Sequence, residues 1–254
     1  MIDLHAHVLP EIDDGPQDLD AAVALVRRAA EAGTRQIVAT SHVSTRYPNS
    51  ADEIGACVAK LREALSAENV DVAIVAGAEL SLNRARELDE AELARLRLGD
   101  GPYLLVESPL HPAVGDFEWM IDQLAGAHRI ALAHPERCPA FQRDPGRLIR
   151  LVSRGAICSI TAGALRGDFG RDVRRFTTWL FEEGLVHNVA SDTHDLAGRR
   201  PEVLQPLAEA EKELPGLRDH VEWLTETVPA AILAGDAIGS PARLAKARRP
   251  WWRR

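Results

Sequence analysis

The sequence predicts an α/β protein built as a single closed barrel, and three observations carry that prediction. Short apolar runs rich in Val, Ile and Leu recur along the 254 residues, as expected of parallel strands buried on both faces. Amphipathic segments with a helical period separate these runs. No linker rich in Pro, Gly or Ser divides the chain, and its length suits one (β/α) barrel. An open doubly wound sheet is the alternative. No G-x-G-x-x-G follows the first apolar run, so nothing points to a dinucleotide.

The elements follow in order. Ile2–Leu4 is the first predicted strand. After it, "DLDAAVALVRRAAEAG" sets Leu19, Val23 and Val26 on one helical face, with Arg27, Arg28 and Glu31 elsewhere and Gly33 where a C-terminal cap belongs. Gln36–Ala39 is the second strand, followed by the helical "ADEIGACVAKLREAL". Val72–Ala76 is the third. Tyr103–Val106 is the fourth and leads to "DFEWMIDQLAGA". Ile130–Ala133 precedes "DPGRLIRLVSRG", Ile157–Ile160 precedes "DVRRFTTWLFEEG", and His187–Ala190 is the seventh. Strands alternating with helices argue for a parallel sheet.

Composition narrows the class. Apolar residues make up 46% and charged residues 27%, the balance of a globular, soluble chain. No stretch approaches the roughly 20 apolar residues of a membrane helix, and no basic-then-apolar leader opens the chain. The three cysteines, Cys57, Cys138 and Cys158, form no C-x-x-C pair. Reduced thiols in a cytoplasm are expected, rather than a disulfide scaffold or a thiolate zinc site. The last twelve residues carry +6, which leaves −14 on the rest of a chain whose total is −8. So acidic a body is a poor nucleic-acid binder. One domain over residues 1–240 and a flexible basic tail over 241–254 is the expected organisation.

Metal-type residues recur where the predicted strands end. His5 and His7 close the first strand, with Asp14 on the loop beyond it. His42 follows the second strand, Glu79 the third, Glu107 the fourth, His134 the fifth, and Asp192 with His194 the seventh. Only the sixth runs on without one, into "TAGAL". In a barrel the C-terminal strand ends meet at one mouth. His5 and His7, like Asp192 and His194, have the period-2 spacing that sends both side chains to one side of an extended segment. Any one of these residues has an ordinary structural explanation. Recurrence in six of seven strand units does not. Mixed imidazole and carboxylate ligation suits Mn²⁺, Fe²⁺ or Zn²⁺, and this many ligands exceeds the need of one ion. Clustered divalent cations favour hydrolysis of phosphoryl groups. His111, His128, His187 and His220 fall outside the pattern and read as structural or surface residues, though His111 is near enough to Glu107 to line a cavity mouth.

The segments "DLHAH…DDG", "VATSH", "GAEL", "LLVES", "AHPER", "TAGALRGDFG" and "VHNVASDTH" together resemble the PHP (polymerase and histidinol phosphatase) superfamily. Within it they are similar to the manganese-dependent protein-tyrosine phosphatases of bacterial capsule operons. The resemblance runs from residue 1 to about residue 235 and implies a distorted (β/α)₇ barrel with a trinuclear metal site. It implies that His5, His7, Asp14, His42, Glu79, Glu107, His134, Asp192 and His194 are the ligands. It further implies that Arg137 and Arg199 bind phosphate, with Arg200 a rival for the second role. The sequence departs from the family at Ser41-His42-Val43, where a Pro and a second His are usual, and at Ser108, where an aromatic is usual.

The expected chemistry is direct attack on a phosphate monoester by a metal-bridging hydroxide, with no covalent enzyme intermediate. A cysteine nucleophile would need a C-x₅-R loop, and "CSITAGALR" has its Arg at the wrong spacing. The resemblance points to phosphotyrosine on the tail of a bacterial tyrosine kinase that controls polysaccharide export. Histidinol phosphate, nucleic acid cleavage and a non-catalytic metal-binding module are the alternatives.

Overall fold

The computed structural model describes residues 1–111 and 115–245. Its strands are β1 (Ile2–Ala6), β2 (Gln36–Ala39), β3 (His42–Val43), β4 (Ala73–Ala76), β5 (Glu79–Leu80), β6 (Tyr103–Glu107), β7 (Arg129–Ala133), β8 (Ile157–Thr161) and β9 (Asn188–Ala190). All pair in parallel, in the orders β1-β2-β4 and β3-β5-β6-β7-β8-β9. Two interruptions account for the separate ladders. β2 breaks at Thr40-Ser41 before β3, and β4 breaks at Gly77-Ala78 before β5. Joined across these breaks, the strands form seven units in chain order.

The ring closes where β9 meets β1. The Asp192 N–H donates to His5 O at 2.8 Å, and the His7 N–H to Thr193 O at 2.9 Å. The distortion lies between β4 and β6, which do not pair directly. Leu98 and Gly99 stand in the gap, the first donating to Tyr103 O and the second to Ala76 O, both at 2.8 Å. The result is a single-domain, distorted parallel barrel of the kind the sequence predicts.

Alternation along the strands separates two apolar clusters. Val38, Tyr103, Leu105, Ala131, Ala133 and Ile157 gather inside with Val228 and Ile232. Ile37, Leu104, Val106, Ile130, Leu132 and Cys158 face outward under the helices. Glu107 shares the face of Tyr103 and Leu105, so its carboxylate is sent inward at the mouth of the barrel.

The predicted helices form at 19–31, 51–67, 117–124, 145–153 and 171–182. Asp18 caps the first through the Ala21 N–H, and Ser50 with Glu53 forms a capping box on the second. The C-terminal segment adds a π-helical turn at Trp223–Thr227 and a helix at Val228–Ala234. Val228 and Ile232 of that helix plug the end of the barrel opposite the mouth. Beyond it, Leu244 is buried and donates its N–H to Phe181 O at 3.0 Å. The rest of the basic tail, from residue 246, lies outside the described residues.

Candidate metal centre

The nine residues singled out at strand ends come together at the mouth of the barrel. Glu79, carried by the short β5, sits at their middle and is 1% exposed. Its Oε2 lies 3.1 Å from His42 Nδ1 and 3.3 Å from both His5 Nε2 and His7 Nε2. Its Oε1 lies 2.8 Å from His134 Nε2. Asp192 Oδ1 lies 3.4 Å from His5 Nε2 and 3.7 Å from His7 Nε2. Asp14 Oδ1 lies 3.2 Å from His194 Nε2 and 3.5 Å from His42 Nε2.

Three overlapping groups have donor atoms within 4.8 Å of one another: His7, Asp14, His42 and His194; His5, His7 and Asp192; and His42, Glu79 and Glu107. His7 and His42 each belong to two groups, which makes the three groups one contiguous cluster. His134 joins through Glu79.

The donor set fits divalent cations. Glu79 Oε2 and His134 Nδ1 are buried atoms without a hydrogen-bond partner, although Glu79 Oε2 has three imidazole nitrogens around it. More lone pairs converge here than these few contacts satisfy. A buried group left in that state is costly, and a divalent cation would satisfy it. Neutral imidazoles and ionised carboxylates are the ligand forms divalent ions take.

The imidazoles and carboxylates act strongly on one another. Against the cost of burial, Glu79 and Asp192 raise His5, and Asp13 and Glu79 raise His7 to about 10. Burial and then the charge of Glu79 push the Glu107 carboxyl up to about 7. Burial would also raise Asp14, but His194, His42 and His7 outweigh it and hold that carboxyl well below its usual range. Burial lowers His42 to about 4, so its ring is neutral and free to ligate at pH 7.

Sequence reasoning passed over Asp13. Its Oδ2 takes His7 Nδ1 at 2.9 Å and the His42 N–H at 3.0 Å, and its Oδ1 takes the Gly15 N–H at 2.9 Å. It therefore orients His7 from behind, the role an outer carboxylate plays at metal sites. Glu136 was also passed over. It is fully buried, its Oε1 accepts the Thr161 N–H at 2.9 Å, and burial pushes its carboxyl up to about 7. The acids of "DDG" and "HPER" were visible, but the direction each would point was not.

Two guanidinium groups border the centre on one side. Arg137 Nη1 lies 3.1 Å from Asp192 Oδ2, and Arg199 Nη2 lies 2.7 Å from Asp192 Oδ1. Arg199 Nη1 also approaches Asp14 Oδ2 at 3.7 Å, and its buried Nε has no acceptor. Arg200 lines the same small cavity as Asp192 and Arg199, with its Nε 3.8 Å from Glu202 Oε2. On the other side a cavity of about 400 Å³ opens beside Glu107, with His111 on its wall. His128 and His187 lie away from the centre. His128 bonds to Arg97 and Glu90, and His187 to backbone at Leu185 and Cys158.

Comparison with known proteins gives a consistent picture. A family model described as capsular polysaccharide synthesis, CpsB/CapC, matches residues 1–233. The chain is 34% identical over 216 residues to the tyrosine-protein phosphatase YwqE of Bacillus subtilis, covering 84% of this chain and 85% of that protein. It is 28% identical to the putative tyrosine-protein phosphatase CapC of Staphylococcus aureus, over 78% of this chain and 79% of the relative. A solved structure from the pair YwqE of Bacillus subtilis and CpsB of Streptococcus pneumoniae, described as metal-dependent tyrosine phosphatases, superposes with a TM-score of 0.81. That match has 31% identity and covers 98% of this chain and 100% of the other.

Proposed function

The chain belongs to the CpsB/CapC family of capsular polysaccharide synthesis, and from that premise we propose that it is a metal-dependent protein-tyrosine phosphatase. The observation that carries the reading is the convergence of three imidazole nitrogens on Glu79 Oε2, 3.1–3.3 Å away, beside a carboxylate gripped by two arginines.

His5, His7, Asp14, His42, Glu79, Glu107, His134, Asp192 and His194 would hold two or three divalent cations, with Mn²⁺ the first candidate. Bound there, such ions lower the pKa of water and offset charge on phosphoryl oxygens. The chain's own residues do the rest. Asp13 fixes the ring of His7. Arg137 and Arg199 exchange part of their hold on Asp192 for the non-bridging oxygens of the phosphate, each able to give two parallel N–H bonds. The unpartnered Nε of Arg199 supplies a donor that no protein acceptor uses. Phenolate is a good leaving group, with a parent pKa of about 10, so departure does not depend on a strong acid.

No cysteine is placed to act as nucleophile. Cys138 and Cys158 are buried, and burial raises all three thiols above their ordinary range. The substrate in this reading is phosphotyrosine on a protein, specifically the tail of a bacterial tyrosine kinase acting in polysaccharide export, met in the cytoplasm. Among the described residues no helix is long and apolar enough to cross a membrane.

Turnover of a phosphotyrosine peptide, histidinol phosphate and single-stranded DNA, compared with Mn²⁺ present, tests the proposal. The peptide should be hydrolysed, chelation should abolish the activity, and thiol alkylation should leave it intact. Turnover of histidinol phosphate alone would refute the tyrosine assignment, and inactivation by alkylation would restore a cysteine mechanism.

A further inference from the structure

The sixth strand unit is the one that ends without a His or carboxylate, yet its loop reaches the centre. β8 runs into a short helix at Ala162–Arg166, and the segment Gly167-Asp168-Phe169-Gly170 then turns back. Gly167 and Gly170 flank that turn with φ of 92° and 94°, values that side chains rarely tolerate. The turn is anchored. Arg166 grips Asp168 Oδ2 through Nη2 at 2.6 Å and Nε at 3.1 Å. Gly163 leaves room beneath it, since a Cβ there would meet Asp168 Oδ2 at 2.8 Å and Phe169 Cε2 at 3.5 Å.

This scaffolding presents Phe169. The Arg137 guanidinium carbon lies 4.3 Å from the centre of the Phe169 ring, well inside cation–π range, while its Nη1 bonds to Asp192 Oδ2. The Arg137 guanidinium thus sits over the face of the Phe169 ring, and its Nη1 is turned to Asp192 at the centre. A planar cation held over a ring and bonded through one nitrogen has little freedom left. A cavity of about 130 Å³ opens between this loop, Asp192 and Arg199.

We infer that Phe169 is a positioning residue for phosphate recognition, fixing the plane of Arg137 so that its edge donates to the phosphoryl oxygens. The sixth unit thus contributes an aromatic platform in place of a metal ligand. The inference rests on the reading of Arg137 as a phosphate clamp.

The test is a double-mutant cycle on the manganese-loaded protein. Phe169→Leu removes the ring face while keeping apolar bulk, Phe169→Trp keeps a face, and both are also made in an Arg137→Ala background. Two quantities are measured: kcat/KM on a phosphotyrosine peptide, and the affinity for inorganic phosphate by calorimetry. Phe169→Leu should lose about tenfold in each, the scale of a partly buried cation–π contact. Phe169→Trp should stay within about threefold of the parent on the same basis, and bound manganese should be unchanged. With Arg137 already removed, Phe169→Leu should cost nothing further. Equal losses in both backgrounds, or full function in Phe169→Leu, would overturn the inference. If the parent protein binds phosphate with the expected Phe169 dependence but leaves the peptide intact, the tyrosine assignment fails and the positioning role stands. If the parent binds no phosphate, both fall.

Discussion

His134 and Asp192 stand on left-handed backbone, with φ of 35° and 53°. For a side chain other than glycine that conformation costs about 1–2 kcal/mol. The turn has a consequence. Ala133 already faces the inner cluster, so strict alternation would send the next side chain outward. The left-handed turn brings His134 inward as well, to within 2.8 Å of Glu79. Position at a strand end was legible in the sequence, but this reversal was not. Asp14 was picked out as a ligand, but the role of Asp13 behind His7 was hidden, because adjacent acids in a tight turn look alike until the backbone fixes their directions. Asp13→Ala should leave His7 Nδ1 without a partner and weaken metal retention by about 10–100-fold, measured by competition with a chelator followed by elemental analysis. A second outcome concerns pH. The Glu107 carboxyl is raised from 4.5 to about 7 in the fold, so the folded state holds this proton more tightly than the unfolded chain. Its contribution to stability is greatest in acid and is lost as pH rises from about 4.5 to 7. In metal-stripped protein, Glu107→Gln should therefore flatten the fall in Tm across that range, and an unaltered slope would contradict the assigned environment.

At the scale of elements, all seven predicted strands form, because length and burial make each a clear Val- and Ile-rich run. The two-residue strands β3 and β5 were not legible. They carry His42 and Glu79, so they read as strand ends rather than as strands, and only the breaks before them reveal their separate pairing. Gly77 shows why the second break occurs. A Cβ at that position would lie 2.7 Å from Val38 Cγ1 and 3.2 Å from Leu98 Cδ2, so the chain passes closely over the inner core before turning to present Glu79. Val38 is fully buried and cannot yield. Gly77→Ala should cost about 1–3 kcal/mol of stability, read as a lower denaturant midpoint with an unchanged slope. The C-terminal helices were illegible for another reason. Pro229 lacks the N–H that an ordinary α-helical ladder needs, and the π-helical turn at Trp223–Thr227 leads into it. No simple helical period spans that stretch.

For the whole molecule, the barrel divides labour between its two ends. The inner apolar cluster and the plug from Val228 and Ile232 close one end and provide stability. The other end gathers imidazoles and carboxylates, most of them buried, from six of the seven strand units, and the remaining unit supplies Phe169. That division lets the chain hold a charged cluster that would be unfavourable in a continuous core. The acidic balance of the body suits the same purpose. The central claim is that this cluster is a multinuclear cation site organised around Glu79. Elemental analysis of protein saturated with manganese and then freed of excess metal tests it most directly. About two to three manganese ions per chain are expected for the parent, as clustered hydrolytic sites require, with at least one lost in Glu79→Gln. Less than one ion per chain in the parent, or an undiminished content in Glu79→Gln, would contradict the account.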